Sequence, residues 1–252
     1  MIRLFHVSDI HFGAEDPAAL EWFHRRATQE RPDAVIVTGD LTMRARSREF
    51  SAASAWLKSL GGPVTIEVGN HDLPYFNPLA RFATPYRRYR ALKAMIERPL
   101  ETKGVAIVPL KTTARFHWRL NWSKGHVSDR ALADSLALIN AVPPGDMILV
   151  TAHHPLIAAG TVMNARTRHG AKALEALARA GAHAVLTGHV HDPFDLAQEV
   201  GGRVIRLIGA GTLSTRLRAE PPSFNELRIA DGAIEVIVRK LGEPDVALGS
   251  GS

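Results

Sequence analysis

The chain has 252 residues, of which 46% are apolar and 22% charged, with no cysteine and a formal net charge of +6. This composition is typical of a folded globular protein and excludes disordered and collagen-like chains, disulfides and thiolate metal sites. The longest apolar runs fall far short of the roughly 20 residues that cross a bilayer, and the N-terminus lacks a secretory pattern, so we expect a cytoplasmic protein without a transmembrane helix.

The first third of the chain alternates short β-branched runs with helical patterns. Strands are predicted at 2–7, 34–38 and 64–68, and helices are predicted at 18–30 and 47–60. Strand and helix in alternation are typical of a sheet whose faces are covered by helices.

The next segment, 74–124, is strongly basic. It contains eleven Lys or Arg residues against Glu97 and Glu101, so its net charge is +9 and the rest of the chain carries −3. Periodicity predicts a helix at 82–96 and strands at 105–108 and 114–120. Such a segment can attract anionic substrates, nucleic acid or lipid head groups, or it can be a solvated helix face. We treat 74–125 as a candidate insert that selects the substrate.

The remaining elements complete one domain, 1–248. Helices are predicted at 129–140 and 171–180, with strands at 148–151 and 184–186. Strands at 204–208, 224–229 and 234–238 are joined by turn-length connections, which predicts a second sheet near the end of the chain. The last four residues, 249–252, have the sequence Gly-Ser-Gly-Ser of an added linker and are left out of the domain.

Five of the predicted strands end at polar residues that can bind metals. In open α/β sheets, ligands bind in the crevice outside the carboxyl ends of the strands. Groups scattered over some 180 residues can therefore converge on one site. The five strand ends carry, in chain order, Asp9 and His11; Gly39 and Asp40; Gly69, Asn70, His71 and Asp72; His153 and His154; and Gly188, His189 and His191.

The donor set at these strand ends is large enough for two metal ions that share Asp40. Nitrogen and oxygen donors without thiolate fit Mn, Fe, Zn or Co better than a copper or iron–sulfur centre. The glycines Gly39, Gly69 and Gly188 stand where a strand turns into a loop, and a residue without a Cβ allows positive φ or a close approach of the backbone. The candidate ligands are Asp9, His11, Asp40, Asn70, His153, His189 and His191.

Taken together, the blocks SDIHFG, VTGDL, VGNHD, TAHHP and TGHVH resemble the five-block signature of the calcineurin-like metallophosphoesterase superfamily. The resemblance implies an α/β fold, a two-sheet β-sandwich flanked by helices in four layers (α/β/β/α), with a dinuclear centre of Mn, Fe or Zn. It implies that His153 rather than His154 is a ligand, because the ligand stands two residues before the proline, here Pro155. By position, one ion would be held by Asp9, His11, Asp40 and His191, and the other by Asp40, Asn70, His153 and His189.

The resemblance also implies a reaction, in which a metal-bridging hydroxide attacks the phosphorus. His71 would contact the phosphoryl or leaving-group oxygen with Asp72 orienting it, or it would only hold Asn70. His154 would support the ligands from outside. Candidate substrate contacts are Arg81 and Arg87 for phosphate, with Tyr75 and His117.

Within the superfamily, the sequence looks most like the branch of class III cyclic nucleotide phosphodiesterases, which also contains glycerophosphodiesterases. The leading hypothesis is hydrolysis of a small phosphodiester such as a cyclic nucleotide, with no obligatory nucleic acid. The alternative is a larger anionic substrate, either a nucleotide-linked lipid precursor or single-stranded nucleic acid. A non-enzymatic scaffold would be expected to lose ligands, and here all seven positions are filled. Peripheral membrane contact and oligomer formation stay open.

Overall fold

The computed structural model describes residues 1–98, 100, 103–114, 123–161, 163 and 167–248. This part of the chain forms eleven strands and six helices. The strands are β1 (Ile2–Val7), β2 (Ala34–Val37), β3 (Val64–Ile66), β4 (Val105–Pro109), β5 (Met147–Thr151), β6 (Ala184–Thr187), β7 (Phe194–Val200), β8 (Arg203–Gly209), β9 (Ser223–Ala230), β10 (Ala233–Lys240) and β11 (Val246–Leu248). The helices are α1 (Pro17–Glu30), α2 (Ser47–Ser59), α3 (Pro78–Ala83), α4 (Arg87–Ile96), α5 (Asp129–Asn140) and α6 (Gly170–Arg179).

The strands form two sheets of mixed direction. A six-stranded sheet has the order β11-β10-β9-β1-β2-β3, and a five-stranded sheet has the order β4-β5-β6-β8-β7. The predicted second sheet is present, but the final strands are divided between the two sheets. β8 joins β6 in the second sheet, while β9 pairs antiparallel with β1 and extends the first sheet. Local periodicity identifies a strand, but it carries no information about a partner more than 200 residues away.

Three apolar clusters show that the layers follow the order helix, sheet, sheet, helix. In β1, Phe5 packs with Phe23 of α1 on the helix side, while Leu4 belongs to a cluster that includes Leu186 and Ile208 of the facing sheet. A third cluster lies between the second sheet and helices α5 and α6. Because β1 is covered on both faces, its apolar residues are nearly continuous rather than alternating. The four-layer α/β fold expected from the sequence is confirmed.

The register of the parallel strands brings their carboxyl ends together. Val7 of β1 is level with Val37 of β2, which is level with Ile66 of β3. In the other sheet, Thr151 of β5 is level with Leu186 of β6. The loops that follow these five strands therefore open at the same end of the sandwich, where the two sheets meet.

The basic segment differs most from its prediction. The helix predicted at 82–96 is two helices, α3 and α4, which are separated at Thr84 and Pro85. A proline disfavours helical backbone in the residue before it, and Thr84 has φ −138° and ψ 54°. The strand predicted at 114–120 falls almost entirely on residues outside the described part. In the described part, no helix combines the length and apolar character needed to span a membrane.

Candidate metal centre

The seven candidate ligands lie in one cluster at the seam between the two sheets. Asp9, His11, Asp40 and His153 are buried with no more than 1% of their surface exposed. His189 and His71 are partly exposed, and they mark the side on which the cluster opens to solvent. Three-residue groups whose donor atoms lie within 4.8 Å of one another include Asp9, His11 and His191, and also Asp9, Asp40 and His153.

One half of the cluster is built by the loops after β1 and β6. Asp9 Oδ1 lies 3.2 Å from His191 Nε2 and 3.7 Å from His11 Nε2. The two imidazole nitrogens, His11 Nε2 and His191 Nε2, are 3.3 Å apart. Three potential metal-ligand atoms from separate side chains thus lie within 3.7 Å of one another.

The other half is built by the loops after β2, β3, β5 and β6. His153 Nε2 lies 3.3 Å from Asp40 Oδ2, 3.2 Å from Asn70 Oδ1 and 3.3 Å from His189 Nδ1. The same Asp40 Oδ2 is 3.8 Å from His11 Nε2 in the first half. Asp40 therefore stands between the two sets, where it can contact both.

Hydrogen bonds to backbone carbonyls fix which nitrogen of two histidines faces inward. His153 Nδ1 lies 2.7 Å from the Thr38 carbonyl oxygen, and His191 Nδ1 lies 2.6 Å from the Arg216 carbonyl oxygen. A carbonyl only accepts, so each Nδ1 carries a proton and each ring turns its Nε2 into the cluster. These Nε2 atoms face the oxygens of Asp40, Asn70 and Asp9.

A metal ion binds only the unprotonated Nε2 of such rings, and acceptors that then face acceptors repel each other unless a cation lies between them. Asp9 Oδ1 is buried and receives no hydrogen bond from the described residues, although such groups are normally satisfied. The donor set, imidazole nitrogens with carboxylate and amide oxygens, is the kind that binds Mn, Fe or Zn. The residues present therefore fit a divalent metal centre.

The second oxygen of each carboxylate ties one ligand loop to another. Asp9 Oδ2 accepts a hydrogen bond from the His189 backbone N–H at 2.7 Å, and Asp40 Oδ1 accepts one from the His71 backbone N–H at 2.8 Å. Each carboxylate thus keeps one oxygen for a metal while the other holds a neighbouring loop. Asp9 and His189 come from different sheets, so the first bond crosses the seam.

The backbone at the ligands is unusual for non-glycine residues. Five candidate ligands, Asp9, His11, Asp40, His189 and His191, have φ between 51° and 71°. This left-handed region is tolerated best by Asn, Asp and His among non-glycine residues, and it costs roughly 1 kcal/mol or more per residue. Such strain concentrates at functional sites.

Glycines allow the loops to approach as closely as they do. A Cβ on Gly69 would stand 2.1 Å from Asp40 Oδ1, and a Cβ on Gly39 would stand 2.7 Å from His153 Nδ1. Gly39 also has φ +99°. A side chain at either position would therefore displace a candidate ligand.

Burial and the two carboxylates determine the electrostatics. Burial opposes a charged ring at His153, but the nearby Asp40 carboxylate outweighs it and raises the pKa of His153 to about 9. Burial lowers the pKa of His11 and of His189 to about 3. For Asp40, burial is outweighed by His153 and the other nearby histidines, which hold its pKa well below the usual range. Both carboxylates are therefore ionised, and His11 and His189 are neutral, at neutral pH.

His71 lies at the open side of the cluster, but Asp72 does not orient it. His71 Nδ1 is 2.7 Å from the Met43 carbonyl oxygen, which fixes the ring. The Asp72 carboxylate instead accepts hydrogen bonds from the backbone N–H groups of Thr42 at 2.8 Å and Gly69 at 3.0 Å. The expected pairing of Asp72 with His71 is therefore corrected: Asp72 joins the loops after β2 and β3. Burial, with the Asp40 charge, raises the pKa of Asp72 to about 6.

His154 packs against the ligands, and with His153 and His189 it forms another group whose ligand atoms lie within 4.8 Å of one another. Its Nδ1 is 2.9 Å from the Thr112 hydroxyl and its Nε2 is 3.1 Å from the Ser123 carbonyl oxygen. Its ring lies 4.4 Å from that of His189, centroid to centroid. Both nitrogens thus have hydrogen-bond partners of their own, and the Thr38 carbonyl, rather than His154, orients His153.

The candidate substrate contacts are scattered. Arg81 is only 2% exposed and donates to the Ala114 carbonyl at 3.4 Å, so it supports the fold instead of facing substrate, contrary to expectation. Arg87 is exposed and lines a cleft of about 450 Å³ that also borders Asp72. Tyr75 is half exposed and packs on Phe76. His117 lies outside the described residues.

Three groups around the cluster were missed by the sequence reasoning. Two are the carbonyls of Thr38 and Met43, which carry no residue-specific signal because every residue has a carbonyl. The third is Arg216, which supplies a carbonyl to His191 and whose guanidinium Nη1 lies 3.2 Å from His71 Nε2. A signal for Arg216 existed, since the polar run Thr212-Leu213-Ser214-Thr215-Arg216 follows β8.

Comparison with known proteins agrees with the geometry. The family model of calcineurin-like phosphoesterases matches residues 2–193. A probable cyclic nucleotide phosphodiesterase from Rhodococcus erythropolis is 25% identical over 171 residues, which are 66% of this chain and 53% of the relative. A glycerophosphodiester phosphodiesterase from Enterobacter lignolyticus is 33% identical over 92 residues, which are 30% of this chain and 33% of the relative. The chain thus spans about half of the first relative's length and a third of the second's.

A solved structure supports the fold. The crystal structure of a dimetal phosphatase from Danio rerio superposes with a TM-score of 0.68 over 99% of both chains, at 13% sequence identity. This likeness concerns the arrangement of sheets and helices.

Proposed function

The chain belongs to the calcineurin-like phosphoesterase family, and we propose that it hydrolyses small phosphodiesters, cyclic nucleotides first among them, with the help of two divalent metal ions. The names of its relatives support a diester substrate, since both are phosphodiesterases. The metals that suit the donor set are Mn, Fe and Zn.

The observation that carries this proposal is the position of Asp40 between two sets of inward-facing acceptors. Asp40 Oδ2 is 3.3 Å from His153 Nε2 on one side and 3.8 Å from His11 Nε2 on the other. One ion would not need seven donors, whereas two ions sharing Asp40 would use them all. One set would be Asp9, His11, Asp40 and His191, and the other would be Asp40, Asn70, His153 and His189.

The protein's own residues hold and orient the reacting groups. When bound, two divalent ions lower the pKa of water toward about 7 and neutralise charge on the phosphoryl oxygens. His71, whose Nδ1 is held by the Met43 carbonyl, presents Nε2 at the open side of the cluster, where its lone pair can accept a hydrogen bond. The buried wall of Asp9, Asp40 and His153 keeps bulk water from the other side.

The proposal is tested with metal-stripped protein that is refilled with Mn²⁺, Fe²⁺ or Zn²⁺. Hydrolysis of bis(p-nitrophenyl) phosphate is compared with that of p-nitrophenyl phosphate, and then 2′,3′-cyclic and 3′,5′-cyclic AMP are offered. We expect the diester to be the better substrate and at least one cyclic nucleotide to be cleaved. The absence of hydrolysis with all three metals would contradict the proposal.

A single substitution, Asp40→Asn, tests whether the activity belongs to this site. Asp40→Asn keeps the shape of the side chain but removes the charge between the two sets, so we expect at least a roughly 100-fold loss of activity and a loss of bound metal. Asp134→Asn, at an exposed position of α5, is the matched control and should behave like wild type. If Asp40→Asn were as active as wild type, the hydrolysis would come from a contaminant.

A second candidate, single-stranded nucleic acid, is favoured by the surface beside the site. Phe76 is 62% exposed, and the guanidinium carbons of Arg44 and Arg46 lie 5.6 and 5.8 Å from its ring centroid. Exposed aromatic rings beside arginines can stack on bases. Faster cleavage of a single-stranded oligonucleotide than of cyclic AMP, under the same conditions, would favour this candidate over the first.

A further inference from the structure

Arg216 brings a cation into the candidate metal centre. Its Nη1 lies 3.2 Å from His71 Nε2 and 3.4 Å from His11 Nε2, with Met43 Sδ at 3.6 Å. A guanidinium has five N–H donors and no acceptor, so it cannot coordinate a metal. Its place among groups that could bind metals needs another explanation.

The charge around Arg216 is not balanced by the protein. Arg206 pairs with Asp195, and Arg239 pairs with Glu226. Within the described ranges of the chain, no comparable carboxylate pairs with Arg216. Asp9 and Asp40 bring two negative charges to the centre, against four positive charges from two divalent ions and one more from Arg216. The loaded site thus has an excess of positive charge, and an anion is the ligand that balances it.

The loop that carries Arg216 is fixed by buried hydroxyl groups. The Thr212 hydroxyl donates to the Asp9 carbonyl at 2.6 Å, and the Arg216 backbone N–H is 3.3 Å from Ser214 Oγ. Thr212 and Ser214 are fully buried. The Arg216 carbonyl accepts from His191 Nδ1 at 2.6 Å. Hydrogen bonds to two candidate ligands, Asp9 and His191, therefore fix the backbone of the loop that carries Arg216.

The hydrogen bond of His71 gives Arg216 the role of donor at the open side of the site. The Nδ1–H of His71 donates to the Met43 carbonyl at 2.7 Å, so Nε2 of the neutral ring is an acceptor. The Arg216 Nη1 at 3.2 Å donates to it. In this arrangement His71 orients the guanidinium, and among the described residues the side-chain contacts of Arg216 all involve Nη1, which leaves its other N–H groups for an anion.

We infer that Arg216 binds the non-bridging oxygens of the substrate's phosphoryl group, with His71 positioning its guanidinium. The planar fork of an arginine matches two phosphate oxygens at once, which a lysine cannot reproduce. The inference rests on the proposed phosphoester substrate and adds to it the residue that recognises the phosphoryl group. Inorganic phosphate, which carries the same oxygens, is the probe.

The test measures phosphate binding separately from turnover. Isothermal titration calorimetry follows the binding of inorganic phosphate to the Mn²⁺-loaded wild type, Arg216→Gln and Arg216→Lys, with bound metal measured by mass spectrometry. We expect the dissociation constant to rise about tenfold to a hundredfold in Arg216→Gln at unchanged metal content, and by less in Arg216→Lys. The matched control is Arg218→Gln, two residues further along and exposed. We expect it to bind phosphate with the wild-type dissociation constant.

Two outcomes would overturn the inference. The first is that Arg216→Gln binds inorganic phosphate with the wild-type dissociation constant. The second is loss of metal from that variant, because the side chain would then support the ligands instead of the anion. Turnover of bis(p-nitrophenyl) phosphate is measured in parallel, and we expect kcat/KM to fall in Arg216→Gln. If the wild type hydrolyses no phosphoester, the proposed function fails, while the phosphate titration still decides the role of Arg216.

Discussion

Gly69→Ala offers a direct test of how tightly the ligand loops must pack. The new Cβ would stand 2.1 Å from Asp40 Oδ1, 2.2 Å from Asp40 N and 2.7 Å from Asp40 Cγ. Carbon atoms in contact are normally about 3.5 Å or more from their neighbours, so the two loops must separate by roughly 1 Å. Two of these atoms belong to a buried carboxylate and one to the backbone, so no flexible side chain can simply swing away.

The displacement of Asp40 predicts effects on metal binding, activity and stability. Misplacement by about 1 Å costs on the order of 100-fold in activity, and overpacking a well-packed interior costs about 1–3 kcal/mol of folding free energy. Calorimetric titration of the metal-stripped protein with Mn²⁺ should show weaker binding, and urea unfolding should show the loss of stability.

The control for this variant is Gly62→Ala. A Cβ on Gly62 meets no atom within 4 Å, and its φ lies outside the left-handed range, so the variant should match wild type in both measurements. If Gly69→Ala bound two Mn²⁺ ions per chain with wild-type affinity and unfolded at the wild-type urea concentration, the loops would not depend on this close approach.

Two further predictions concern buried carboxylates away from the metal centre. Burial raises the pKa of Glu67 from 4.5 to about 7, so the folded chain keeps this proton longer than the unfolded chain, and stability falls as the pH rises from about 4.5 to 7. Glu67→Gln removes the titrating group, so the free energy of unfolding of the variant, relative to that of wild type, should rise by about 3 kcal/mol between pH 4 and pH 8. Urea unfolding at several pH values measures this difference, and a difference that does not change with pH would refute the raised pKa of Glu67. Glu226 accepts hydrogen bonds from Arg3, Arg228 and Arg239, so Glu226→Gln should lose about 3 kcal/mol, and a loss below 1 kcal/mol would show that solvent already screens these pairs.

The sequence predicts that the candidate ligands lie close together, because the relevant rule is local. Each of the five ligand blocks follows an apolar strand, and parallel strands in register end at the same edge. Asp9 and His153 are 144 positions apart in the sequence, yet both could be assigned to one edge without any knowledge of which strands pair. The division of those strands between two sheets did not change this result, because both sheets open at the same end.

What the sequence could not predict depends on contacts without a residue-specific signal. The carbonyls of Thr38 and Met43 orient histidines, but any residue could supply a carbonyl. Arg81 belongs to a run of basic residues and looks like its exposed neighbour Arg87, although it is buried. The separation of α3 from α4, by contrast, was available in the sequence, since Pro85 stands in the middle of the predicted helix and proline disfavours helical backbone before it.

The strained backbone at the ligands is held in place by hydrogen bonds between neighbouring loops. Asp9 and Asp40 hold neighbouring loops through one carboxylate oxygen, while the other oxygen faces imidazole Nε2 atoms. Left-handed φ angles and the burial of two carboxylates both raise the free energy of this end of the fold. A metal ion that replaced the proton on His153 Nε2 would meet the same carboxylate oxygens without moving the loops, since their positions are already fixed by bonds to backbone N–H groups. We therefore expect the residues that make this end of the sandwich less stable to be the ones that bind the metal.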